Sequence, residues 1–338
     1  MSRKLYPLLF GPVYKDYIWG GDRIPRLFNR EPQNGVCAES WEISDRGEGM
    51  SVVTNGALAG TSLAELVKNS AEDLLGRSYA GTTVFPLLIK IIDAKEQLSV
   101  QVHPDDDSAR RAGGEAKTEM WYVLDAEPHA AIYAGLKPGT SPETFKAALK
   151  SEHLEKVLNT IKPRRGTAVY VPGGRVHAIG SGLLLLEVQQ NSNTTYRVYD
   201  WGRVGKDGKP RELHVDKAMS VINWRDSEPI TVEPRGMEAE NGVQRREILK
   251  CPYFRVTRST TGKATEIRNS CQSFSILFQL EGNLEIRNGG NAENIGPGTS
   301  CLIPASVESC SLVPSGSTAS FLNITPAVQP SFSGTNAA

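Results

Sequence analysis

Short runs of Val, Ile, Leu, Tyr and Phe recur along this chain between Gly-, Pro- and Asn-rich turns, at intervals of about 8 to 12 residues. That rhythm argues for a mostly-β sandwich or barrel. FPLLIKIIDA (85–94), SVQVH (99–103), MWYVLDA (120–126), AAIYAGL (130–136), TAVYVP (167–172) and GLLLLEVQQ (182–190) read as strands of one such body. Helical spacing interrupts them. TSLAELVKNSAEDLL starts at Thr61 or Ser62, and Glu65 three residues after Ser62 completes a capping box. SPETFKAALKSEHLEKVLNTI has Ser141 as N-cap and Pro142 at the first helical position, with Phe145, Leu149 and Leu154 near one face, which predicts a helical insertion over about 141–161. A shorter turn of helix is expected after Pro104, in DDDSARR.

The segment from Ser227 to Arg246 is polar, holds two prolines and two glycines, and lacks a sustained apolar period. A domain boundary is therefore expected at about residue 240. It would divide a catalytic β-domain (1–240), carrying helical insertions at about 61–76 and 141–161, from a smaller C-terminal β-domain (241–330). Beyond the boundary, YFRVTRS, SFSILFQLEG, NLEIRNGG and ASFLNITP again read as strands, and GPGTSCLIPA echoes a turn of the first body. No histidine follows His214, so this second body is expected to be metal-free. The tail 331–338 is expected to be disordered.

Composition removes several function classes. Lysines plus arginines equal aspartates plus glutamates at 38 each, and no basic run appears, which argues against nucleic acid or anionic membrane as a partner. No window reaches the roughly 18 apolar residues that a membrane span needs, so a cytoplasmic location is expected. Five widely spaced cysteines (Cys37, Cys251, Cys271, Cys301 and Cys310), without a C-x-x-C, read as buried thiols in a reducing compartment.

Candidate chemistry gathers in the first body. Gly166, Pro172, Gly174 and His177 fit the pattern G-x5-P-x-G-x2-H, a strand running into a Pro-Gly-Gly turn that delivers His177 at the start of the next strand. In SVQVHPDD, alternation puts Ser99, Gln101 and His103 on one face, and in KTEMWYVL it does the same for Lys117 and Glu119. Gln101, His103, Glu119 and His177 could converge inside one barrel as a four-coordinate zinc site. A lone histidine at a strand end serves more often as a hydrogen-bonded structural residue, so the weight rests on the pattern.

QVHPDD, KTEMWYVL, PGGRVHAIGSG and EVQQNSNTTYRVYDWGR resemble the type I mannose-6-phosphate isomerases of the cupin superfamily, in their short bacterial form. FGPVYKDYIWGG, AESWEIS at 38–44 and FPLLIKIIDAKEQLSVQVHP extend the resemblance over roughly residues 5 to 225. It implies a cupin (double-stranded β-helix, jelly-roll) barrel with a cupin-like C-terminal domain, and interconversion of mannose 6-phosphate and fructose 6-phosphate through a cis-enediol. It also implies one zinc per chain, held by Gln101, His103, Glu119 and His177. Gln101 stands where the general cupin pattern has histidine, which favours the isomerase over the iron-dependent cupin oxygenases. The family's catalytic arginine falls on Arg197, an acidic pocket residue on Glu187, and further pocket positions on Ser99, Lys117 and Arg203, the last by the loosest match. Guanidinium does not readily surrender a proton, so Arg197 would hold the anionic intermediate, leaving Glu187 among the candidates for the base. Lys117 counts with Arg197 and Glu187 among the catalytic positions the resemblance implies, and Lys117, Ser99 and Arg203 would serve the phosphate. Two rivals stand beside this reading: an iron dioxygenase using His103, Glu119 and His177 as a facial triad, and a sugar-phosphate-binding protein without catalysis. The partner implied is a small sugar phosphate; the residues do not choose between a monomer and a weak homodimer.

Overall fold

The computed structural model describes residues 4–31, 35–79, 81–205, 208–226, 231–232, 235–240, 242–269 and 272–327. The expected tail lies outside them. The chain divides into two compact units, one of 14–41 and 88–232, the other of 1–13, 42–87 and 233–338. The second unit is thus assembled from three pieces, where sequence reading set a single cut near residue 240.

In the first unit, mostly buried strands form two antiparallel sheets. One runs Ala168–Val171, Glu119–Ala126, Leu183–Gln190, Leu87–Ala94, Glu39–Ile43 and Val13–Lys15, the last three straddling the limits of the unit. The other runs Tyr196–Tyr199, Val100–Val102, His177–Ile179, Ile132–Leu136 and Leu158–Ile161. Neither sheet closes on itself among the described residues. Trp121, Val123, Ile132, Val169, Ile179 and Leu185 fill one core cluster. Val100, Val102, Phe145, Val176 and Tyr196 belong to another.

The helical insertion expected over 141–161 is shorter. The α-helix is Pro142–Lys150, capped by Ser141 as predicted, and the chain then leaves it through Glu152 at φ 61°. Leu158–Ile161 is a strand that pairs with Ile132–Leu136. Its apolar residues, Leu158 and Ile161, are buried, so sheet pairing overrides the helical spacing of the run.

In the second unit, Leu8–Gly11 pairs with Ser300–Ile303 and with Val52–Val53, which is why the N-terminal residues group with the C-terminal ones. Helix Leu63–Leu75 starts at the predicted Ser62–Glu65 capping box, and its Asp73 and Leu74 carbonyls accept from the Ser306 and Ala305 amides. An eight-stranded and a four-stranded sheet complete this unit around Leu277, Leu284, Ile286, Leu312 and Phe321.

Candidate active site

The Pro-Gly-Gly turn does what the sequence pattern requires of it. Gly174 sits at φ +84° and its amide donates to the His103 carbonyl over 2.7 Å, locking the turn to the other histidine's backbone. A Cβ on Gly173 would lie 2.5 Å from the Asp105 Cα, so this close approach also requires glycine. Register then pairs His177 with Gln101, and Tyr170 with Met120 beside Glu119.

His103, Glu119 and His177 come together with their ligand-competent atoms all within 4.8 Å of one another, every one of the three side chains buried. His103 Nε2 is 3.2 Å from Glu119 Oε1, and His177 Nε2 is 3.9 Å from Oε2. Yet His103 Nε2 and Glu119 Oε2 lack any partner in hydrogen-bond geometry, while Glu119 Oε1 is met by the Lys117 ammonium. Buried polar atoms left in this state are rare unless another group completes them. On the far side of each ring, Nδ1 lies 2.8 Å from a backbone carbonyl, Thr194 for His103 and Arg175 for His177. Those bonds fix the tautomer that leaves Nε2 without a proton of its own, its lone pair available to a ligand. Gln101 joins the cluster through its amide nitrogen, 3.3 Å from His177 Nε2, while its Oε1 accepts from Ser99 Oγ over 3.4 Å, so ligation of a metal through that oxygen requires the carboxamide to turn over. Burial, then the neighbouring His103 charge, lowers His177 to about 3, and burial with Lys117 lowers His103. Burial alone would raise Glu119, but Lys117, at 2.5 Å, and the two histidines hold it well below the usual carboxylate range. Neutral imidazoles and an ionised carboxylate are the protonation states a divalent metal needs, so the residues fit one.

Beside the cluster lies a cavity of about 300 Å³ lined by Ser99, Gln101, Lys117, Glu187 and Arg197 among others. Of the sequence candidates for the pocket, Arg203 alone is missing from this lining; its guanidinium is spent on the Asp200 carboxylate and the Gln97 carbonyl. Arg211 lines the cavity instead, held by two bonds to the same Asp200. Arg197 donates through Nη1 to the Glu212 carbonyl, while its buried Nε has no partner. Glu187 Oε2 accepts from Trp121 Nε1 over 3.0 Å, and Oε1 lies 3.4 Å from Lys90 Nζ. Burial and the nearby Glu119 charge raise Glu187 to about 7. Lys90 also lies 3.6 Å from Glu39; burial works against its charge, but Glu39 and Glu187 outweigh that and raise it.

Sequence reasoning passed over Lys90, Glu39 and Arg211. A signal for the first was present: a lysine in the middle of FPLLIKIIDA, whose strand is buried at every position, has to find carboxylates inside the fold.

Fold and site together define a mainly β protein with a buried His-Glu-His cluster that could hold a metal, beside a pocket that carries Lys90, Lys117, Arg197 and Arg211. Residues 8–136 match the family model for the phosphomannose isomerase type I catalytic domain, and residues 245–323 that for the mannose-6-phosphate isomerase cupin domain. A probable mannose-6-phosphate isomerase of Bacillus subtilis, GmuF, is 37% identical over 306 residues, 89% of this chain and 94% of its own. The mannose-6-phosphate isomerase of Streptococcus mutans is 33% identical over 304 residues, 90% and 94% of the two chains. The crystal structure of a Bacillus subtilis mannose 6-phosphate isomerase superposes with a TM-score of 0.86 at 31% identity, over 94% of this chain and 99% of that one. The chain belongs to the type I mannose-6-phosphate isomerases, a family of aldose–ketose isomerases. No helix among the described residues is long and apolar enough to cross a membrane.

Proposed function

We propose that this protein interconverts D-mannose 6-phosphate and D-fructose 6-phosphate in the cytoplasm, with one zinc ion held by His103, Glu119, His177 and the Gln101 carboxamide. The observation that carries this reading is the adjacency of Glu187, Lys117 and Arg197, in one hexose-sized cavity, to buried ligand atoms that lack hydrogen-bond partners. Zinc bound there supplies Lewis acidity toward the hydroxyl and carbonyl oxygens of the open-chain sugar.

The chain's own residues do the rest. Glu187, raised to about 7, carries the proton between C2 and C1, since a base works best with a pKa near the operating pH. Trp121 and Lys90 fix its two oxygens. Arg197, with an unused Nε–H, holds the enediolate oxygens, a role suited to a guanidinium that burial and Arg211 lower but do not make a base. Arg211, pre-oriented by Asp200, takes the phosphate together with Lys117 and Ser99, in place of the Arg203 suggested by the sequence.

The test is a coupled assay of mannose 6-phosphate turnover before and after chelation, with zinc add-back and elemental analysis of the same sample. Chelator-sensitive turnover restored by zinc at about one ion per chain is expected. A folded, zinc-loaded protein that leaves mannose 6-phosphate unchanged would refute the substrate assignment.

A further inference from the structure

The C-terminal unit contains a second, larger concavity of about 1130 Å³. Alternation along its strands writes the lining: Arg245 and Glu247 on one strand face Ser259 and Thr257 on the next, and these in turn face Phe321 and Asn323. The concavity is open to solvent, with Arg235, Arg255, Arg268 and Arg287 exposed, unlike the opposite half of the same unit, where Leu277, Ile286, Ile303 and Leu312 pack together. Five arginines line it, Arg235, Arg245, Arg255, Arg268 and Arg287, against three glutamates, so the surface carries an excess of positive charge.

Several of these arginines rest in pairs that an anion can open. Arg255 lies 2.7 Å from Glu247 with 54% of its side chain exposed, and Arg287 lies 2.6 Å from Glu285 with 56% exposed. Solvent-screened pairs of this kind contribute little, whereas a phosphate bridging two guanidiniums gains charge-assisted bidentate bonds. A separate observation points to a ligand with donors. The Asn323 Oδ1, on the same lining, is buried and has no hydrogen-bond partner. An acceptor in that state calls for a hydroxyl or amide donor. Glutamates, Asn, Ser and Thr interleaved with arginine suit sugar hydroxyls next to a phosphate. With no histidine after His214, recognition here does not run through an imidazole-bound metal.

We propose that this concavity is a binding site for a phosphorylated carbohydrate larger than a hexose monophosphate, distinct from the catalytic pocket of about 300 Å³. The arginines take the phosphate and Asn323 Oδ1 accepts from a sugar hydroxyl.

Calorimetric titration of the full-length, zinc-loaded protein tests this with UDP-glucose and trehalose 6-phosphate as phosphorylated probes and trehalose as the neutral match. At least one phosphorylated probe is expected to bind with a dissociation constant of about 1 mM or tighter, and trehalose is not. Arg245→Gln/Arg255→Gln should weaken that binding at least about tenfold, as should Arg287→Glu on a different strand, with isomerase turnover and unfolding temperature unchanged. Absence of saturable binding by both phosphorylated probes would overturn the proposal. So would binding that survives both sets of arginine variants, or that is lost in Arg197→Ala, which would assign it to the catalytic pocket.

Discussion

A lysine and two carboxylates buried together are individually unfavourable and stable only as a set, so Lys90 sets the chemistry of Glu187 without touching the metal ligands. Removing its charge in Lys90→Met leaves burial and the Glu119 charge opposed only by the weaker pull of Lys117, and the carboxyl rises above about 7. Since a base must be ionised, the acid limb of the pH profile of kcat/KM should move to higher pH, with activity at neutral pH falling about tenfold or more. An unshifted limb would remove Glu187 from the role of base. Arg197→Ala should lose about 100- to 1,000-fold in kcat with its unfolding temperature unchanged, the signature of a donor acting on developing negative charge. For Arg211→Gln the expectation is a KM for mannose 6-phosphate raised about 10- to 100-fold, the worth of a charged hydrogen bond. Arg203→Gln should change KM much less, because its guanidinium is directed to Asp200 and the Gln97 carbonyl; equal effects would contradict the assignment of the phosphate to Arg211.

At the scale of the element, glycine in the turn before His177 is a requirement of distance. A Cβ on Gly173 would meet the Asp105 nitrogen at 2.6 Å as well as its Cα, backbone atoms that cannot swing aside. Gly173→Ala should cost about 1–3 kcal/mol in thermal unfolding and weaken metal affinity, since the turn is bonded to His103 on one side and leads into His177 on the other. Wild-type affinity in that variant would mean that the turn does not position the ligands. The turn, and the alternation that put Gln101 and His103 on one face, could be read from sequence because both depend on neighbours within a few residues. So could the capping boxes at Ser62 and Ser141. The strand Leu158–Ile161 could not: its run fits a helical face equally well, and only its partner Ile132–Leu136, distant in sequence, decides the matter. The same holds for Arg211. Its place in the cavity follows from Asp200, whose competition between Arg203 and Arg211 is a fact of three dimensions.

At the scale of the whole molecule, the metal cluster links separate parts of the fold. His177 and Gln101 sit on the five-stranded sheet and His103 follows its strand Val100–Val102, while Glu119 begins a strand of the six-stranded sheet. An ion held by all of them ties the two sheets of one unit across positions far apart in sequence. Such an ion would bind the folded state with no comparable site in the unfolded chain, so its binding energy would add to stability by mass action. Free zinc at about 1,000 times its dissociation constant adds about 4 kcal/mol. For a unit of this size that corresponds to a rise of roughly 8–16 °C in unfolding temperature. Without the ion, Glu119 keeps its charge through Lys117 and the histidines, so the apo protein should remain folded at a lower temperature instead of collapsing outright. Scanning calorimetry over a zinc titration reads this directly, and Glu119→Gln supplies the control because it keeps the shape of the cluster while removing its only carboxylate. The wild-type transition should climb with the logarithm of zinc concentration while that of Glu119→Gln stays nearly flat. A variant that climbs in parallel would place the stabilising ion elsewhere, and the unpartnered atoms of His103 and Glu119 would then need a different explanation.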